Sequence, residues 1–265
     1  VTPAYTLAPS LRPAGAPPYS NERLLQAWRH LLAAAAVAGP SDAFRFDLVS
    51  VTRQVLGNYS ADLQREAIEA WRAKDRPAFQ AASQRLLDLI RDLDELLATR
   101  PEYLLGRWLA DAKRWGANPE ERDRLQWNAR RVITFWGQQP LIRDYSRRQW
   151  SGMLAGFYLK RWEKFFQALD SALATGAAFD ERAFDQALQE WERRWAAQHE
   201  SYPASPRGDA LAVSRRLWDK YQRPLARSLE AGAPESVPAN SVLAPPRSRS
   251  ALLSPKIGSA TRTVP

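Results

Sequence analysis

The chain has 265 residues, 45% of them hydrophobic, with no cysteine, two histidines and a formal net charge of +9. These numbers allow one large domain or two small ones around a sizeable core and argue against global disorder. They exclude a disulfide scaffold and a thiolate metal site, and His30 and His199 leave almost nothing for a His-based metal site or a Ser-His-Asp triad; no metal or cofactor is expected.

Residues 1–18 hold Pro3, Pro9, Pro13, Pro17 and Pro18 and read as an extended strap. The first helix opens near Ser20 and stops at Gly39-Pro40. Its Ala-rich end, Leu31 to Ala38, is far short of the roughly 20 apolar residues that span a bilayer, so no membrane span is expected. A second helix runs from about residue 41 to 74, with a kink or break expected at Gly57-Asn58 because glycine lowers helix propensity. Asn58-Tyr59-Ser60 is a formal glycosylation sequon inside that helix and is read as chance. The third, about residues 77 to 98, repeats Phe79, Ala82, Leu86, Leu89, Ile90, Leu93, Leu96 and Leu97 at helical steps on one face.

Pro101 opens a fourth helix, to about residue 115. Asn118-Pro119-Glu120-Glu121 opens a fifth with a cap, a first-turn proline and a capping-box glutamate, and that helix is expected to end at Trp136-Gly137. A sixth runs from about residue 144 to 175 with Trp150, Met153, Leu154, Phe157, Tyr158, Phe165, Phe166, Leu169 and Leu173 as its buried stripe. Gly152 and Gly156 in it leave room for a neighbouring helix. A seventh covers about residues 180 to 199, the rigid segment from Tyr202 to Asp209 follows, and a last helix covers about residues 209 to 230. The fold class is all-α: about eight antiparallel-packed helices in one helical domain over residues 19–230, with no sheet. Residues 231–265 read as a disordered Pro/Ser-rich basic tail.

Arg247, Arg249, Lys256 and Arg262 against Glu235 place +3 of the net charge in that tail. In the helices basic residues alternate with acids, as in Gln189-Glu190-Trp191-Glu192-Arg193-Arg194, the pattern of a solvated face. Asp92-x-Asp94-Glu95 is read the same way. No clustered basic stripe or known motif is present, so no nucleic-acid partner is expected. Most of the eleven tryptophans are expected to fill the core.

One junction stands apart: Arg130-Arg131-Val132-Ile133-Thr134-Phe135-Trp136-Gly137, then Pro140-Leu141-Ile142-Arg143-Asp144-Tyr145. From the residues alone, Trp136 packs into the bundle, Gly137 is a C-cap, Ile142 is core, Tyr145 caps a helix and Asp144 sits at a helix N-terminus. The junction also resembles the substrate-facing loop in the C-terminal helical domain of the α-N-acetylglucosaminidases, glycoside hydrolase family 89. Further anchors follow in the family's order: Phe44-Arg45-Phe46-Asp47-Leu48 with Thr52-Arg53-Gln54, Tyr103-Leu104-Leu105-Gly106-Arg107-Trp108-Leu109, Asn128-Ala129-Arg130, Tyr158-Leu159-Lys160-Arg161-Trp162, and Tyr202-Pro203 with Pro206-Arg207-Gly208-Asp209.

The resemblance implies that Trp136, Ile142 and Tyr145 face the pocket for a terminal α-linked N-acetylglucosamine, with Arg130 and Asp144 behind them. Leu141 stands where the lysosomal family member carries a polar residue. In the family the two carboxylates of a retaining glycosidase come from a (β/α) barrel that precedes the helical domain. Such a barrel takes roughly 250 residues, and its strand pattern is absent from this sequence. No catalytic residue is therefore assigned here: the implied partners are that barrel and the terminal sugar, and this chain alone is expected to be inactive. The chain opens at Val1 on a Pro-rich segment, as expected of a fragment or processed product, and the family implies a secreted or periplasmic setting. The alternative is a free-standing, non-catalytic helical module that binds a sugar or a protein.

Overall fold

Short polar side chains open most of the helices. In the computed structural model, which describes residues 2–15, 19–137 and 142–232, Ser20 caps α1 (Asn21–Ala38), Ser41 caps α2 (Asp42–Arg72) and Asp75 caps α3 (Arg76–Ala98). A 3-10 turn, Pro101–Tyr103, leads into α4 (Leu105–Lys113). Asn118 caps α5 (Pro119–Val132) and Asp180 caps α7 (Glu181–Ala196); each accepts a backbone N–H otherwise left unpaired in the first turn. Between them lies α6 (Leu159–Thr175), entered through a π-helical turn, Leu154–Tyr158. Asp209 accepts Ala212 N at 2.7 Å near the start of α8 (Ala210–Gly232).

The periodic stripe of α3 is fully buried from Phe79 to Leu97 and packs chiefly on α2, then on α6. Trp28, Trp162 and Trp195 are buried, and Trp71, Trp150, Trp191 and Trp218 pack against the core, whereas Trp108, Trp115, Trp127 and Trp136 are exposed. The Trp28 indole donates to Ser214 Oγ at 2.9 Å, and that hydroxyl lies 2.8 Å from Thr52 Oγ1, so one polar relay ties α1, α8 and α2 inside the core.

The strap differs from a purely extended one. Ala4–Thr6 forms a 3-10 turn buried among the helices, with Ala4 N on Ser60 Oγ at 3.0 Å and Tyr5 O accepting the Trp162 indole at 3.0 Å. The turn also explains Gly57. The helix α2 is unbroken there, and a Cβ at residue 57 would lie 3.1 Å from Pro3 Cγ, so the glycine makes room for the strap. Asn58 and Ser60 are buried, and the Asn58 amide is engaged by Gln54, Tyr19 and Asn21, which leaves no room for a glycan on the sequon.

The largest departure lies before α6, whose π-helical entry begins at Leu154 rather than near residue 144. Asp144, Arg147 and Gly152 have φ values of 56°, 46° and 86°, which a continuous α-helix excludes. The helix start is capped from another helix: Asp94 of α3 accepts Gly152 N at 2.7 Å, Ala155 N at 3.0 Å and Ser151 Oγ at 3.1 Å. Burial raises the Asp94 pKa against the pull of those bonds. The acidic run on α3 is therefore only partly a solvated face: Asp94 is buried and Asp92 accepts Lys220 and Tyr221 at 2.6 Å each, whereas Glu95 is exposed in a surface pair with Arg216. The close approach at Gly152 and Gly156 is made largely by the Tyr202 ring of the rigid segment, beside Leu105 of α4.

A methyl group at Gly106 would lie 2.2 Å from Tyr202 O and 2.3 Å from Pro203 O. Gly106→Ala is expected to cost about 1–3 kcal/mol through overpacking, read as a lowered denaturation midpoint. Asp170 accepts Arg76 Nε at 2.9 Å, Arg76 Nη2 at 2.8 Å and Gln80 Nε2 at 2.9 Å. The Arg76 hydrogen bond holds its pKa below the usual carboxylate range. The resulting stability is present above the ordinary aspartate pKa and is lost as pH falls through the depressed one. The gap in thermal midpoint between the parent and Asp170→Asn should therefore be widest near neutral pH and close in acid.

Candidate functional site

At the end of α5 the Thr134 hydroxyl turns back onto Arg130 O at 2.8 Å and the helix stops at Val132. The chain then forms β1 (Phe135–Trp136), antiparallel to β2 (Ile142–Arg143), with Trp136 opposite Ile142 and Phe135 opposite Arg143. This small ribbon corrects the expectation of no sheet. Strands of two residues are too short to show alternation in a sequence. Gly137, with φ 77°, follows the ribbon strand and is not the helix cap.

Strand alternation decides which side chains face out. Phe135 is buried and Arg143 points inward, whereas Trp136 is 38% and Ile142 54% exposed. Tyr145 is 68% exposed and lies beside Trp136, ring centroids 4.5 Å apart at 44°. The Trp136 indole donates to Val132 O at 3.0 Å, which fixes the ring's edge. Trp136 and Ile142 therefore do not fill the core, and Tyr145 does not cap a helix. Leu141 and Pro140 lie outside the described residues.

Arg130 and Asp144 are both buried, with different partners. Arg130 donates to Trp195 O at 3.1 Å and Glu200 O at 2.7 Å and sits over the Trp195 ring, so α5 is tied to the end of α7. Burial lowers its pKa. Asp144 N donates to Thr134 O at 3.1 Å, and its carboxylate takes a two-pronged bond from the fully buried Arg161 of α6, at 2.6 and 2.9 Å. Arg161 Nε lies 3.4 Å from Glu192 Oε1 of α7. The Glu192 carboxylate also takes Arg143 Nε on Oε2 and Arg143 Nη2 on Oε1, each at 2.8 Å, and Arg143 Nη1 reaches Asp185. Although burial opposes it, these carboxylates raise the pKa of both Arg161 and Arg143, so both guanidinium groups stay charged.

Glu192 is the member that sequence reasoning missed. It lies in a run that reads as solvated, yet it is 1% exposed. The signal was its place in the buried stripe of α7, four residues after Leu188 and three and four before Trp195 and Ala196. Arg161 lies inside an anchor of the resemblance but received no role there. Among the described residues no group of three or more His, Cys, Asp or Glu side chains is arranged to hold a metal ion. Arg161→Met leaves Asp144 buried without its cation and is expected to destabilise the chain by about 3–5 kcal/mol in chemical denaturation.

Comparison with known proteins agrees with this architecture. The family described as the alpha-N-acetylglucosaminidase (NAGLU) C-terminal domain matches residues 2–220. The human alpha-N-acetylglucosaminidase is 33% identical over 204 residues, covering 77% of this chain and 28% of that protein. A family 89 glycoside hydrolase from Clostridium perfringens, solved with 2-acetamido-1,2-dideoxynojirmycin, superposes with a TM-score of 0.73 at 24% identity, over 82% of this chain and 26% of its own. A Clostridium perfringens structure holding its substrate GlcNAc-alpha-1,4-galactose gives a TM-score of 0.74 at 23% identity, over 84% of this chain and 27% of its own. The chain thus spans little more than a quarter of the length of these relatives. It belongs, through residues 2–220, to the α-N-acetylglucosaminidase C-terminal domain family.

Proposed function

We propose that this chain is the helical part of an α-N-acetylglucosaminidase-like exo-glycosidase and supplies one wall of the pocket for a terminal α-linked N-acetylglucosamine. The observation that carries the reading is the exposed pair of Trp136 and Tyr145, with Ile142 across the ribbon from Trp136. An indole face covers the C–H face of a sugar ring, and a phenol beside it offers a hydroxyl for a polar substituent. The solved Clostridium perfringens relative holds GlcNAc-alpha-1,4-galactose, a ligand of that chemistry.

The division of labour follows from the charges. A retaining hydrolase needs a free acid and a free nucleophile about 5–5.5 Å apart. The carboxylates behind the ribbon, Asp144, Asp185 and Glu192, are all committed to Arg161 or Arg143. The family resemblance implies that the acid and nucleophile come from a (β/α) barrel that precedes the helical part, and the commitment of these three carboxylates is consistent with it. The strap is tied to the segment that follows the ribbon: Thr2 Oγ1 accepts Arg147 Nη1 at 2.6 Å, and Arg147 Nε donates to Asp144 O at 2.8 Å. No described helix is long and apolar enough to cross a membrane.

Mixing this chain with a separately produced family 89 barrel tests the reading. Hydrolysis of an α-N-acetylglucosaminide is expected only with both parts present, and Trp136→Ala should raise KM about tenfold, the equivalent of about 1.4 kcal/mol of lost contact. Binding between the two parts without any gain of hydrolysis would count against the pocket wall. Sugar binding by this chain alone, unaltered by the barrel, would favour the free-standing module.

A further inference from the structure

We infer that Glu192, with Arg143 and Arg161, is a positioning residue whose work is to set the ribbon that carries Trp136 and Tyr145. The inference rests on the pocket-wall reading for its importance to binding, but its geometry stands apart from that reading. A ribbon of two residue pairs is too small to hold its own shape, since even a longer isolated hairpin is marginal in water. Its rigidity has to come from the layer beneath.

That layer is a chain of buried charges. Glu192 on α7 receives Arg143 of β2 through two 2.8 Å bonds, one from Nε and one from Nη2. Glu192 also faces Arg161 of α6 at 3.4 Å, and Arg161 grips Asp144, the residue directly after β2, at 2.6 and 2.9 Å. One carboxylate thus links both helices to the two residues that aim β2 and start the segment to Tyr145. The side chains of Glu192 and Arg161 are 1% and 0% exposed.

Stability alone does not call for this arrangement. Well-packed apolar residues often stabilise a core as well as a buried ion chain does. Paired forks between guanidinium and carboxylate groups add direction: each fixes the plane and distance of its partner. They also engage Asp144 at φ 56°, in the left-handed region that aspartate enters more readily than most non-glycine residues. These forks hold the β2 side of the aromatic pair, while buried Phe135 and the Trp136 bond to Val132 O hold the β1 side.

The test uses this chain labelled with nitrogen-15 at its tryptophan indoles. Each Trp136 indole signal reports its bond to Val132 O and the adjacent Tyr145 ring, while the buried Trp28 and Trp162 indoles report the core. In Glu192→Gln the Trp136 signal is expected to shift and broaden while the Trp28 and Trp162 signals hold. Arg143→Gln, which removes a cation nearer the surface, should do the same if Glu192→Gln fails to fold, and Arg143→Lys should restore part of the parent signal. A folded Glu192→Gln or Arg143→Gln chain with an unmoved Trp136 indole would overturn the inference. So would equal movement of all three indoles, which marks general loosening. A moved Trp136 signal combined with unchanged sugar affinity in Trp136→Ala would uphold the positioning role and reject the pocket wall.

Discussion

The carboxylate of Glu192 holds two guanidinium groups inside the protein, one from the ribbon and one from the helix beneath it. Most else around the candidate site depends on that arrangement. Arg143 cannot turn outward without leaving Glu192 only the longer 3.4 Å contact with Arg161, and Arg161 cannot release Asp144 without leaving that buried carboxylate unpaired. Because Arg143 is held inward, strand alternation sends its neighbour Ile142 outward, and pairing places Trp136 beside it. The exposed aromatic surface is thus a geometric consequence of buried electrostatics.

The same logic explains where the helices stop. The sixth helix does not extend back through Asp144 because that carboxylate is drawn into the core and its backbone takes a left-handed turn. The N–H groups exposed by the late start are met by Asp94 from a different helix, and the Ser151 backbone joins Tyr103 and Leu105 on the way. The strap enters this region too, with Tyr5 fully buried and its hydroxyl on Gln149 at 2.7 Å. Strap, ribbon and helix entry therefore form one connected support.

The helices are legible in the sequence where their signals are local. Ser20, Ser41, Asp75 and Asn118 mark starts through their own side chains, and the apolar stripe of α3 names its buried face. The family likeness is legible because its anchors keep their order along the chain, and residues 2–220 match the family. The signals that fail are non-local. Gly57 reads as a helix break until Pro3 is seen against it. Asp94 and Glu192 read as solvated acids because a carboxylate among charged neighbours looks the same whether or not a distant arginine or helix end waits for it. Trp136 and Ile142 read as core because apolar residues usually are, and a two-residue ribbon leaves no periodic trace.

The central claim is that the Trp136–Tyr145 surface touches the sugar. The most direct measurement is saturation transfer by NMR from the aromatic protons of this chain, joined to a family 89 barrel, onto a terminal α-N-acetylglucosaminide. The account predicts strong transfer to the ring protons of the terminal sugar that disappears in Trp136→Ala. Transfer that is absent, or that persists unchanged without the Trp136 indole, would contradict it.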